Sequence, residues 1–171
     1  MYEVDDRDVV VPLEGIPQSC TGAPLPLVMA DEHFVVLAYY MPTHRPWTGV
    51  PQMISPADSD EPIAIVRFDG HTYMFGGPND ETLSGHPLWG RGLKHYGAFR
   101  VENSSWIRKL ERMNSVHRMH NPDTFWKLQH LALTFHDSTF ECVCRGFEVS
   151  TAQGSIHEVV PKMVKLLRRA G

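Results

Sequence analysis

"LALTFHDSTFECVCRGF", residues 131–147, holds two apolar runs around a short polar knot. A two-residue turn at Asp137-Ser138 pairs His136 with Thr139, Phe135 with Phe140, Thr134 with Glu141 and Leu133 with Cys142. Leu131, Leu133, Phe135, Phe140, Cys142 and Cys144 then share one face. His130, Thr134, His136, Thr139, Glu141 and Arg145 share the other. A one-residue slip destroys this segregation, whereas a four-residue turn preserves it. The stretch is therefore the closing half of a β-hairpin spanning roughly 127–136 and 139–149.

Working outward, residues 155–158 (SIHE) form a capping box ahead of an apolar stripe at Val159, Val160, Met163, Leu166 and Leu167. Arg168 and Arg169 suit the negative end of that helix. Pro161 requires either a kink or a start near Val160. Upstream, Asn103 or Ser104 caps a helix from Ser105 that buries Trp106, Ile107, Leu110 and Met113 and stops by His120. "AFRVEN" ahead of it is a short strand.

Earlier still, "PIAIVRFDGHTYMF" reads as a second hairpin turning at Asp69-Gly70, a pair that favours a type I′ turn. It would pair Phe68 with His71, Val66 with Tyr73 and Ala64 with Phe75. His33 to Met41 is a strand apolar on both faces, and Val9–Val11 an edge strand in an extended, proline-rich arm over residues 1–26. A loop with the acidic cluster Asp58, Asp60 and Glu61 fills 42–61. The sum is an α+β fold in one domain over 1–171: a mainly antiparallel sheet of about five to seven strands with two helices packed on it.

Composition narrows the function classes. A net charge of −4 argues against a phosphate-neutralising surface, so no nucleic-acid partner is expected. No window nears the roughly 18 apolar residues of a membrane helix, and the acidic start "MYEVDDRD" is no secretory leader. Asn103-Ser104-Ser105 is accordingly a chance match to a glycosylation acceptor. Three cysteines make no disulfide framework, and a cytoplasmic location with free thiols is the simpler expectation. No metal is expected. His130 and His136 lie roughly 20 Å apart along one strand, His117 and His120 lack a third ligand, and Cys142-Val-Cys144 has the wrong spacing. Phosphate-binding glycine motifs and the G-x-S-x-G elbow are missing too, so no cofactor is expected.

The site is expected where residues 76–97, "GGPNDETLSGHPLWGRGLKHYG", meet the polar face of the last hairpin. Loops this long are functional or disordered, and the leucines, Trp89 and Tyr96 argue for order, with one helical turn after Asn79 or Asp80. His86, Trp89, Arg91, Lys94 and Tyr96 are the candidate ligand-binding residues, suited to a planar or anionic molecule. His136, His95 and Glu141 are the candidate catalytic residues. His136 and Glu141 are diagonal neighbours within reach, so the pair is either an oriented general base or a surface ion pair worth little. Three functions compete: a small-molecule-binding domain, an acid–base enzyme on the same surface, and a module contacting a protein partner through acidic segments 1–8 and 58–61. "NSSWI" and "FHDSTFE" also read as motif material without an attached activity.

Overall fold

The computed structural model describes residues 2–43, 53–57 and 59–168. Part of the acidic 42–61 loop, with Asp58, lies outside them, as does Arg169. Among the described residues seven strands form one antiparallel sheet: β1 (Val9–Pro12), β2 (Leu27–Ala30), β3 (Phe34–Tyr40), β4 (Glu61–Gly76), β5 (Ala98–Glu102), β6 (Gln129–Thr134) and β7 (Thr139–Gly154). Their order is β1-β5-β6-β7-β4-β3-β2. Three helices join them: α1 (Ser105–Asn114), α2 (Asp123–Trp126) and α3 (Ile156–Leu167). The architecture is α+β.

The β6–β7 hairpin keeps the expected faces with the longer turn. Leu133 pairs with Phe140 and Leu131 with Cys142, and the Phe135 N–H closes the turn on the Ser138 carbonyl at 2.9 Å. All six apolar residues of the expected face lie in one buried cluster. The polar face is a different matter. It is no surface: His130, Thr134, Thr139 and Glu141 are all buried on it.

Asp69-Gly70 makes no hairpin. β4 runs straight through it for 16 residues, with bulges between Phe68 and Thr72. Val66 pairs with Leu37 and Val149 instead of Tyr73, and Phe75 pairs with Phe140 instead of Ala64. A type I′ turn needs positive φ at both central residues, and neither Asp69 nor Gly70 has it. The glycine serves a close approach instead. Its N–H bonds to the His33 carbonyl at 3.0 Å, and a Cβ there would stand 3.0 Å from the Val35 side chain. Long partners on both sides outweigh a local turn preference. β2, within reach of the irregular arm, makes up the seventh strand by pairing with β3.

The sheet is strongly curled. Tyr39 on β3 and Phe135 at the end of β6 are three strand spacings apart, about 14 Å in a flat sheet. Their ring centroids are 5.2 Å apart. The arm closes the concave side: the Leu13 N–H bonds to the Ala98 carbonyl, and the Cys20 N–H to the Tyr40 carbonyl. On the convex side α3 packs Ile156, Val159 and Met163 on Val36, Ala38, Ile63 and Ile65. Ser155 and Glu158 complete the capping box, so the helix starts at Ile156 and runs through Pro161. Pro161 is tolerated because it and His157, whose carbonyl loses its partner, are exposed.

α1 and the 76–97 loop cover the rest of the convex side. Ser104 caps α1, accepting the Ile107 N–H at 3.2 Å. Trp106 is buried, but Met113, expected on the inner face, is exposed. The loop is ordered. Asn79 caps a 3-10 helix at Asp80–Gly85, and a second turn spans Trp89–Arg91. Leu83, Leu88 and Leu93 bury against Val10, Phe99, Val101 and Ala132, whereas Trp89 stays 36% exposed. The leucines therefore hold the loop. Gly92, at φ +115°, passes so close to β1 that a Cβ would sit 2.6 Å from the Val10 carbonyl oxygen.

Cys142 and Cys144 are free and fully buried, and Cys20 is free and half-buried. Burial, and then the contact with Cys144, pushes the Cys142 thiol well above its usual range. A thiol reagent is expected to label Cys20 alone in the native protein and all three after unfolding, counted by mass spectrometry. Native labelling at Cys142 or Cys144 would overturn the face assignment.

Candidate functional site

Glu141 is the centre of the convex-side polar cluster. β7 directs it inward because Phe140 and Cys142 face the other way. It is 5% exposed, yet its carboxylate has three donors. Tyr2 Oη donates to Oε2 at 2.5 Å, His130 Nε2 lies 3.0 Å from Oε2, and His86 Nε2 lies 3.2 Å from Oε1. Burial alone disfavours the charge. The hydrogen bonds from His130 and His86, the charge interaction with His130 and the Tyr2 hydroxyl outweigh it, holding the carboxyl at about 2. The same burial, with the carboxylate opposite, keeps the Tyr2 phenol protonated far above its normal range.

The histidines are themselves held. The Leu88 N–H donates to His86 Nδ1 at 3.1 Å, so that nitrogen carries a lone pair and Nε2 carries the proton given to Glu141. His130 Nδ1 meets Ser104 Oγ at 2.9 Å. The His130 ring stands at right angles to those of Trp106 and Tyr2, with centroids 5.1 and 5.2 Å away. "NSSWI" and "FHDSTFE" thus meet in one place: Ser104 and Trp106 from the first, Glu141 from the second.

A cavity of about 430 Å³ opens on this cluster. Glu141, His86 and Tyr2 lie in its wall with Met74, Phe75 and Pro87, and the glycine-rich start of the loop closes it. Among the described residues no lysine or arginine lines it. The volume lies within the usual range for small-molecule sites, about 300–1,000 Å³.

Two of the expected site residues, His86 and Glu141, meet here. The expected His136–Glu141 pair is not formed, because the longer turn carries His136 outward to the loop. His136 Nδ1 bonds to Asp80 Oδ2 at 2.9 Å and lies 3.2 Å from Tyr96 Oη, which also donates to Asp80. That bond from Tyr96, then the charge on His136, holds the Asp80 carboxyl low despite partial desolvation. The Asp80 bond also pushes the Tyr96 hydroxyl up to about 12. Tyr96 adopts φ +52°, a strained value for a tyrosine. His95 packs its ring on Trp89 and Tyr96, with centroids at 5.2 and 6.1 Å. His95 and His136 therefore flank Tyr96 on the outer rim and do not line the cavity. Lys94 is exposed there, and half-buried Arg91 reaches the Asp6 carbonyl at 3.5 Å.

Among the described residues no group of three or more His, Cys, Asp or Glu side chains is placed to hold a metal ion. The tautomer of His86 explains this at Glu141: the nitrogen facing the carboxylate carries a proton, not a lone pair. His120 is engaged by Glu111 at 2.8 Å. No helix among the described residues is long and apolar enough to cross a membrane. Of the acidic 1–8 segment, Asp5 pairs with Arg7 and Arg108, and Asp8 accepts the Ser105 N–H at 2.6 Å.

No protein-family model, curated protein or solved structure matches the chain. Function has to be read from the site itself.

Proposed function

We propose that the protein binds a small molecule in the cavity between the 76–87 segment and β7. The observation that carries this reading is a carboxylate, Glu141, held ionised at the wall of a largely apolar pocket of about 430 Å³. Oε1 accepts from His86 and has the lone-pair capacity for a second donor. The ligand has an apolar body and an N–H or O–H donor, and is neutral or cationic, because no cation lines the described wall to receive an anion. Of the planar or anionic molecule expected from the loop, this reading keeps the planar option, because Arg91 and Lys94 do not line the cavity. Free buried thiols suit a reducing compartment, and we infer a cytoplasmic location.

Gly85 offers the test. It lines the cavity, and a Cβ built on it meets nothing within 4 Å. Gly85→Leu is expected to narrow the cavity with little change in stability. In a thermal-shift screen of neutral and cationic metabolites, compounds that raise the midpoint of the native chain should lose that effect in Gly85→Leu. Ligands that shift both proteins equally would place binding outside the cavity.

Acid–base chemistry has a second, distinct support on the outer rim. His86 has both nitrogens engaged and cannot take a proton without losing the Leu88 bond. His136 is better disposed: Asp80 orients Nδ1, and the side chain is 40% exposed, with Nε2 3.9 Å from Asp137. An enzyme reading therefore runs through His136 with Asp80 as its orienting carboxylate. The acidic-segment interaction module is less favoured, since Asp5 and Asp8 are spent on internal contacts.

A further inference from the structure

We propose that Tyr2 is a displaceable plug, and that the ligand is an aromatic molecule whose O–H or N–H group takes over its hydrogen bond to Glu141. The inference rests on the cavity reading for the body of the ligand and goes beyond it in naming the class and the gate.

Tyr2 sits as a bound phenol would sit. Its ring stacks on Trp106 with centroids 5.1 Å apart and an interplanar angle of 7°. The His130 ring, at right angles to it, closes a second side with centroids 5.2 Å apart. Its hydroxyl reaches Glu141 Oε2, and the side chain lies in the wall of the cavity. The slot is thus flat, aromatic and ended by an ionised acceptor, a combination that selects a planar ring bearing a donor. It is contiguous with Met74 and the glycine-rich start of the loop, which would take any extension of that ring.

The tether is weak where it matters. Residues 2–8 precede β1 and pair with no strand. Among the described residues, the hydrogen bonds that anchor this segment begin at Asp5, which bonds to Asp8 and Arg108. Ahead of Asp5 the segment is held by side-chain packing, Tyr2 in its slot and half-buried Val4 against the same cluster. Withdrawing Tyr2 breaks its hydrogen bond to Glu141, its ring contacts with Trp106 and His130 and its packing in the cluster with Val143, and an aromatic ligand in the same slot restores these in kind. Plug and ligand then compete for one carboxylate oxygen, and weakening the plug raises the ligand's apparent affinity by the same factor.

That competition gives a test with a sign. The probe is p-cresol, the tyrosine side chain alone, with toluene as the isosteric control lacking the hydroxyl. Tyr2→Phe keeps the stack but removes the bond to the carboxylate, so calorimetry should show p-cresol binding about tenfold tighter than to the native chain. A Tyr2 that serves as a fixed wall gives equal or weaker binding in Tyr2→Phe, which overturns the plug. Tyr2→Ala empties the slot, and p-cresol should raise its thermal midpoint far more than toluene does. Equal responses to the two compounds, or none, overturn the aromatic-donor class. Screen hits lost in Gly85→Leu without tightening in Tyr2→Phe keep the cavity and remove the plug. Tightening with no effect of Gly85→Leu keeps the slot and removes the cavity.

Discussion

Glu141→Ala is expected to destabilise the fold by about 3–5 kcal/mol, because it leaves buried donors facing a void. The Tyr2 hydroxyl and the Nε2 atoms of His86 and His130 all converge on this carboxylate. Tyr2 is 6% exposed and His130 is fully buried, so water entering from the cavity side cannot satisfy all three donors as the carboxylate does. Glu141→Gln should cost less, since it keeps one oxygen, but its amide N–H₂ must oppose a donor. Urea unfolding of the variants measures both. A loss below about 1 kcal/mol for the alanine variant would mean that the donors reach solvent.

The same carboxylate sets an acid limit. Burial raises its pKa, but the hydrogen bonds from His130, His86 and Tyr2 hold the folded value at about 2, against an ordinary value of 4.5. A depressed folded value means that the group's stabilisation is fully present above the unfolded pKa. It is lost as pH falls from about 4.5 toward about 2, and amounts to roughly 3 kcal/mol. Stability measured across that window should fall more steeply in the native chain than in Glu141→Gln. Parallel slopes would show that other carboxyl groups govern the acid transition.

What was legible in the sequence was what neighbours in the chain decide. The faces of the last hairpin follow from alternation, the start of α1 from Ser104, the capping box from Ser155 and Glu158, and the 3-10 helix from Asn79. Asp69-Gly70 misled because its turn preference is local, while β3 and β7 supply longer pairings from residues 34–40 and 139–154. The site shows the same boundary. Parity put Glu141 and His130 on one face, but nothing local says what covers that face. Glu141 meets His86 across 55 positions and Tyr2 across 139, and His136 finds Asp80 across 56. A clue lay in His86 of the loop and in "NSSWI", where Ser104 both caps a helix and touches His130.

Phe140→Ala should cost about 3–5 kcal/mol on the opposite face of the same strand. Phe140 is fully buried at the centre of the concave cluster, next in sequence to Glu141 but pointing away from it. Its ring lies 5.3 Å from that of Phe68 and 6.3 Å from that of Tyr73. Leu133 and Phe75 flank it in register on β6 and β4. Those neighbours belong to a curled sheet whose strands are fixed by hydrogen bonding on both sides, so they cannot collapse into the space a phenyl ring leaves. Most of the cavity term should therefore survive relaxation. Phe75→Ala is the matched control. It stands on the same face, paired with Phe140, but is 44% exposed at the rim. Its loss should be about 1 kcal/mol or less, because little apolar surface is returned to water. Equilibrium unfolding in urea compares the two. Similar losses for both would mean that the concave side is shallow and open, and the curl that joins Tyr39 to Phe135 would then not persist in solution.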